Sequence, residues 1–536
     1  MALREWTDLL GLEQVLTEKL SLEAAERGTF GTGHSIPAIV RPSSRQEVQD
    51  CLRIANRWKV PVYPISSGRN WGYGSRMPAA SGCVLLDLGR MDRIVDFNEG
   101  LGYVTVEPGV TQAQLYAFLK DRGSKLWMDA TGASPHCSLI GNAMERGFGH
   151  TPYGDHFAHS CGYEVVLPDG TVIETGFARY ASAHAAPVYR WGVGPSLDGL
   201  FSQSNFGIVT RMTIWLMPEP EYFQAYYFRC EDAAGISAIV DALRPLRMNG
   251  TIRSACHIAN DYKVLGGIEQ YPWEATGGKT PLSAPVMAKL RQERKFGAWN
   301  GSGALYGTRA QVKEARRLLR AALKGSATRL QFLDDRRLRL ASVFSKFYEW
   351  SSGWNLSRTL AILKPVYGLM KGIPTDRPLA STYWRKRTAP PTDMNPDRDR
   401  CGLLWCSPIA PNQGAHAGEI AALTTALVLR HGFEPMISMT MLTERTLSCI
   451  ISIGYDLDIA GEDARAKACC EELLQRLREN GYHSYRLGIG TMSAMDDGGS
   501  YGQLLQDLKQ TLDPNGILAP GRYISSPRKA AATAKA

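Results

Sequence analysis

No apolar run in this chain is long enough to cross a bilayer. There is also no CxxC pair, no Walker pattern and no GxGxxG fingerprint. The first absence argues against an integral membrane protein and the second against a redox dithiol or a zinc ribbon. The third removes the two commonest glycine-loop signatures for nucleotides. Lys and Arg outnumber Asp and Glu by nine, but the charges are interleaved, so a nucleic-acid footprint is not expected. The N-terminal stretch carries Glu5 and Asp8 and has no apolar core, which argues against a secretory leader. Eleven cysteines is an odd number, and the adjacent Cys469 and Cys470 read as small apolar residues on a helix. A reducing cytoplasm is the default, and no metal site is expected.

What is present is a long, loop-rich globular chain. Its 536 residues exceed one ordinary compact domain, so two lobes sharing a cleft are expected. The 44% hydrophobic content, with 53 glycines and 29 prolines, fits an enzyme rather than a fibrous or disordered chain. The modestly basic balance suits steering of an anionic substrate or an acidic redox partner.

After an N-terminal helical stretch over 1–35, residues 38–42 read as a short strand, and Ser44-x-x-Glu47 reads as a capping box. Val48, Cys51, Leu52, Ala55 and Trp58 share the face of the helix that follows. Strands are expected at 60–65, 84–88, 103–107, 162–167 and 207–216, with a helix over 112–120 that Gly123 stops. This alternation gives an α+β first lobe over 36–220. Pro218-Glu219-Pro220-Glu221 marks a boundary to a second, α+β cap lobe over 221–490. Residues 491–524 return to the first lobe, through a helix over 501–512 and a turn at Asp513-Pro514-Asn515-Gly516. A basic, alanine-rich tail over 525–536 is expected to be unstructured.

The loop Ser66-Ser67-Gly68-Arg69-Asn70-Trp71-Gly72-Tyr73-Gly74 either aims backbone amides at an anion such as a phosphate or is a tight surface turn. Its residues alone do not choose. Read with Val106-Glu107-Pro108-Gly109-Val110-Thr111, Gly141-Asn142-Ala143-Met144-Glu145-Arg146-Gly147, Thr151-Pro152-Tyr153-Gly154-Asp155-His156, Tyr485-Arg486 and Ile517-Leu518-Ala519-Pro520-Gly521-Arg522, it resembles the vanillyl-alcohol oxidase and p-cresol methylhydroxylase family. The match is close over 36–220 and 400–523 and looser between.

The resemblance implies a PCMH-type fold with bound FAD. Ser66, Ser67, Gly68, Arg69, Asn70, Trp71, Ser138, Leu139, Gly141, Asn142, Glu145, Gly147, Gly207, Ile208 and Arg522 are then expected around the cofactor. Asp155 and His156 are candidates for a further polar contact, with a satisfied structural role open for His156. Tyr73, Tyr485 and Arg486 match the family's phenolate-binding trio. Two hydroxyl donors and a guanidinium stabilise a phenolate, whose electron density pushes a benzylic hydride out to form a quinone methide. Glu145 stands where the family usually carries Asp, near the reacting carbon, and its extra methylene moves the carboxylate by about one bond.

Family members often anchor FAD covalently through a His or Tyr of the second lobe. The corresponding stretch here, Arg400 to Ala410, contains neither residue, and Leu403 takes the histidine's place, so dissociable FAD is expected. Cys401 and Cys406 in that stretch read as buried and inert. The resemblance implies a phenolic substrate, oxygen or a cytochrome as electron acceptor, and a homodimer or higher oligomer. An oxidase of aliphatic or sugar alcohols on the same fold is the alternative, and a non-catalytic flavin-binding protein is the reading from another class. Neither explains the trio.

Overall fold

The computed structural model describes residues 1–344, 356–495 and 498–524, without the side chains of 356, 358 and 359. The expected tail over 525–536 lies outside the described residues. Three principal sheets follow one another along the chain. The first has the order Val15–Leu16, Ile39–Val40, Val84–Asp87 and Val62–Ile65, with parallel pairing among the last three. The N-terminal segment is therefore more than helical, because its strand at Val15 pairs antiparallel with Val40.

The helix Arg45–Trp58 crosses between parallel strands and buries Val48, Cys51, Leu52 and Ala55, as its 3.6-residue period requires. Two details depart from expectation. Trp58 is exposed and donates to Glu5 at 3.0 Å, since the helix ends there in a left-handed residue, Lys59. The cap is also shared: Ser44 accepts from Glu47 N, but the Glu47 carboxylate reaches Ser43 N rather than closing the box on Ser44.

The second sheet is antiparallel, in the order Ile94–Asn98, Tyr103–Val106, Ile208–Trp215, Ser160–Val166 and Val172–Glu174. The helix Gln112–Asp121 flanks it with a complete capping box at Thr111 and Gln114, and Gly123 follows at φ 61°. The third sheet begins at Tyr222. Its order is Arg329–Leu333, Tyr222–Cys230, Trp299–Gly307, Cys256–Asn260, Met436–Met441, Thr446–Asp456 and Cys401–Cys406, with Ile409–Pro411 beside Thr446–Asp456. All its pairings are antiparallel.

The C-terminal segment returns to the first sheet. Val62 N donates to Ile517 O at 2.8 Å, and Ala519 N donates to Val62 O at 2.8 Å. A buried lysine locks this return: Lys509 Nζ donates to Asp513 Oδ2, Asn205 O and Leu518 O at 2.7, 2.7 and 2.9 Å. Asp513 in turn accepts from Ile517 N and Leu518 N. Among the described residues no helix is long and apolar enough to cross a membrane.

Candidate active site

A cavity of about 1380 Å³ opens between the first two sheets and the third. That exceeds the roughly 300–1,000 Å³ of an ordinary ligand pocket, so it has room for a dinucleotide and a second molecule. One end is walled by the loop Ser66 to Trp71. Among the described residues, no backbone N–H from Ser67 to Trp71 donates to a protein acceptor. Gly68 sits at φ 67°, which lets successive amides turn toward one point. Arg69, also on the wall, has its pKa lowered by burial and lies over the Trp71 ring at 5.5 Å. The loop is held from behind by Asp397, which accepts from Trp71 Nε1 at 3.0 Å and Ser75 Oγ at 2.6 Å.

The helix Leu139–Met144 forms the next stretch of wall. Its N-cap Ser138 accepts from Gly141 N at 2.9 Å. A Cβ on Gly141 would lie 2.5 Å from Ser66 Oγ, and one on Gly207 would lie 2.6 Å from Val165, so these glycines let the helix pack on the loop and the strand pack on its neighbour. These features fit an elongated, doubly charged cofactor.

The expected phenolate trio comes together from distant parts of the chain. Tyr73, Tyr485 and Arg486 all line the cavity. Tyr73 is 7% exposed, and its hydroxyl is 2.6 Å from Ser407 Oγ. The Arg486 guanidinium lies 4.2 Å from the Tyr73 ring centroid and donates to Asn70 Oδ1 at 2.5 Å. Burial raises the pKa of both tyrosines, with Arg486 opposing, so both hydroxyls are protonated donors at neutral pH.

Glu145 is buried at the centre of the same cluster. Its carboxylate pairs with Arg522 and Arg486, the latter at 3.2 Å, and accepts from the Tyr523 hydroxyl at 2.9 Å. Arg522 also donates to Tyr63 at 2.7 Å. One carboxylate thus compensates two guanidiniums, which makes Glu145 the anion that orients Arg486.

The expected cofactor residues Ser66, Ser67, Gly68, Arg69, Asn70, Trp71, Ser138, Gly141, Asn142, Glu145, Gly147, Gly207, Ile208 and Arg522 all reach the cavity wall. Leu139 and Asp155 do not. Leu139 packs against the second sheet's core, and Asp155 accepts from Ala158 N at 3.0 Å as a turn cap. His156 is satisfied on both ring nitrogens, by Asn142 and by Asp129, each at 2.6 Å. Burial opposes ionisation of Asp129, but hydrogen bonds from His156 and Thr151 outweigh it and lower its pKa. The stretch 401–406 lines the cavity with Leu403 and Trp405, while the Cys401 and Cys406 thiols are buried and pushed up in pKa. Among the cavity residues that sequence reasoning missed are His257 and Lys263, which lie in the loosely matched middle of the chain.

A family model described as an FAD binding domain matches residues 36–176. The flavoprotein subunit of 4-cresol dehydrogenase (hydroxylating) from Pseudomonas putida is 32% identical, over 97% of this chain and 94% of that protein. The chain belongs to the vanillyl-alcohol oxidase and p-cresol methylhydroxylase family. It is an FAD-dependent enzyme of the PCMH-type fold. A 1'-carboxy-chondrochloren decarboxylase from Chondromyces crocatus is 44% identical, with 97% of this chain and 96% of that one covered. A crystal structure of p-cresol methylhydroxylase with substrate bound superposes with a TM-score of 0.87 at 31% identity, covering 98% and 96% of the two chains. 4-Ethylphenol oxidase from Gulosibacter chungangensis, in complex with isoeugenol, gives 0.88 at 29%, covering 98% and 97%.

Proposed function

We propose that this enzyme oxidises a para-substituted phenol at the benzylic carbon through a quinone methide. The observation that carries the reading is the convergence of Tyr73, Tyr485 and Arg486 on one cavity wall. Two protonated hydroxyls and one guanidinium form a site for a phenolate oxygen, and an aliphatic alcohol would leave those donors unused. When bound, FAD supplies the two-electron acceptor for the benzylic hydride. Glu145 holds Arg486 in place and offsets one of the two guanidinium charges, leaving a net positive charge for the phenolate.

In this reading residues 36–220 and 491–524 hold a dissociable FAD, and residues 221–490 roof the substrate. Oxygen or a cytochrome reoxidises the flavin, and the protein works as a homo-oligomer. The decarboxylase relative favours a second fate for the quinone methide. A carboxylate carried one carbon beyond the benzylic position leaves as CO2, and its bonding pair forms an alkene as the ring regains its phenolate.

Anaerobic mixing of the holoenzyme with 4-ethylphenol tests the reading. Bleaching of the flavin absorbance is expected, whereas bleaching by aliphatic or sugar alcohols but not by the phenol would overturn it. Product analysis with 3-(4-hydroxyphenyl)propanoate distinguishes hydration from CO2 release.

A further inference from the structure

The roof of the cavity is one face of the third sheet, and its polarity is uneven. Residues directly opposed across antiparallel strands share a face. The pairs His257 with Thr440, Ala259 with Ser438, Ser438 with Ile450, and Ser452 with Trp405 define that face. Lys263, in the first turn of the helix Asp261–Ile268, also lines the cavity. Its Nζ lies 3.3 Å from Ser452 Oγ and 5.1 Å from the Trp405 ring centroid. Trp405 stacks in turn beside Tyr73, with centroids 6.5 Å apart at 20°. One indole therefore separates the phenolate trio from this ammonium group.

Buried cations of the same lobe carry carboxylate partners: Arg385 has Glu434, and Lys386 has Asp456 and Asp458. The carboxylates on elements packed around Lys263 are committed elsewhere, Asp261 to Arg291, Glu434 to Arg385 and Asp456 to Lys386. Among the described residues Lys263 has a hydroxyl and an aromatic face, and no anion. A hydroxyl contact and a ring face compensate an ammonium only in part, so a half-buried lysine facing the cavity invites an anionic ligand. Arg69, Arg294, Lys295, Arg329 and Arg377 also reach the wall, but Arg294 is paired with Glu269 and Glu293, and Lys295 and Arg329 are exposed to solvent. Arg69 belongs to the cofactor loop, and Arg377 adjoins Pro378, which packs on Gly132 beside the FAD-binding lobe.

We infer that Lys263 is the counter-ion for a carboxylate on the para side chain, so that (4-hydroxyphenyl)alkanoic acids are preferred over neutral alkylphenols as substrates. The inference rests on the proposed phenol oxidation and adds a second anchor to it. The trio fixes the phenolate end, Lys263 fixes the acid end, and the benzylic carbon lies between. Burial lowers the Lys263 pKa to about 8, so the ammonium form is retained at neutral pH. His257, the titratable neighbour on the adjoining strand, is held neutral by burial and by His150.

A redox-silent pair of ligands tests this without turnover. 4-Hydroxyphenoxyacetate carries oxygen in place of the benzylic carbon, and 4-methoxyphenol is its neutral counterpart. Isothermal titration of both into the holoenzyme at pH 7 is expected to show the acid bound at least ten-fold more tightly. In Lys263→Met the ratio of the two dissociation constants should collapse toward one, and Lys263→Arg should restore part of it. The unmodified enzyme supplies a second measurement should the variant misfold: the preference should fade as pH rises through about 8. Because the two ligands share the phenol, its ionisation cancels in the ratio. No preference in the parent, or a preference that survives in Lys263→Met, overturns the inference and leaves the phenol reading standing if 4-ethylphenol still bleaches the flavin. Failure of both ligands to bind, together with no bleaching by 4-ethylphenol, overturns the two together.

Discussion

Replacing Arg486 with Lys keeps the positive charge and removes the planar fork, so it separates geometry from charge at the proposed phenolate site. In the native arrangement the guanidinium donates to Asn70 Oδ1 at 2.5 Å, pairs through Nε with Glu145 at 3.2 Å and lies 4.2 Å from the Tyr73 ring centroid. A single ammonium at the end of a flexible stem cannot occupy all three positions while also facing a substrate oxygen. A lost charge-assisted hydrogen bond costs about 1.5–3 kcal/mol, and each 1.4 kcal/mol is about ten-fold in rate. The limiting rate of flavin reduction should therefore fall roughly ten- to hundred-fold. Affinity should change less, because the charge that attracts the phenolate remains. Anaerobic stopped-flow reduction over a range of 4-ethylphenol concentrations separates the two quantities. A limiting rate equal to that of the parent would remove Arg486 from the reaction and refute the reasoning.

Four further outcomes are expected. Acid precipitation of the yellow protein should release all of the flavin into the supernatant, since Leu403 and Trp405 are the residues that the anchoring stretch turns to the cavity; flavin retained on a peptide would sink this. Glu145→Gln leaves Arg486 and Arg522 without their shared anion, so reduction by 4-ethylphenol should slow and the product ratio should shift, and a variant matching the parent in both would make the position structural. Lys509→Met strands the buried Asp513 carboxylate and should destabilise the protein by about 3–5 kcal/mol in urea unfolding, a loss that a surface lysine substitution would not reproduce. The acid-over-neutral ligand ratio should be highest below pH 8, because a lysine with a lowered pKa loses its charge as pH rises through that value; a ratio still flat at pH 9.5 would assign the preference to another cation.

Local rules written into the chain determined much of what the molecule shows. The helix Arg45–Trp58 follows from its apolar period and Ser44 cap, and the turn at 513–516 closes with Gly516 N donating to Asp513 O at 2.9 Å. The glycines of the loop at 66–74 did not by themselves choose between an anion cradle and a surface turn; the family resemblance chose, and it pointed to Tyr73, Glu145 and Arg486 as members of one site before any distance was known. Side-chain direction was less legible. Asp155 lies within a matched motif yet caps a turn, and Trp58 completes a helical face yet ends in solvent, because a sequence period does not say where an element stops. The tertiary structure alone decided the roof. Strand order in the third sheet brings Cys256–Asn260 and Cys401–Cys406 to one face although about 145 residues of chain separate them, and periodicity carries no information about such pairing. That pairing sets Lys263 beside Ser452 and Trp405, with no counter-anion among the described residues, so the charge proposed for the substrate follows from non-local packing rather than from any motif.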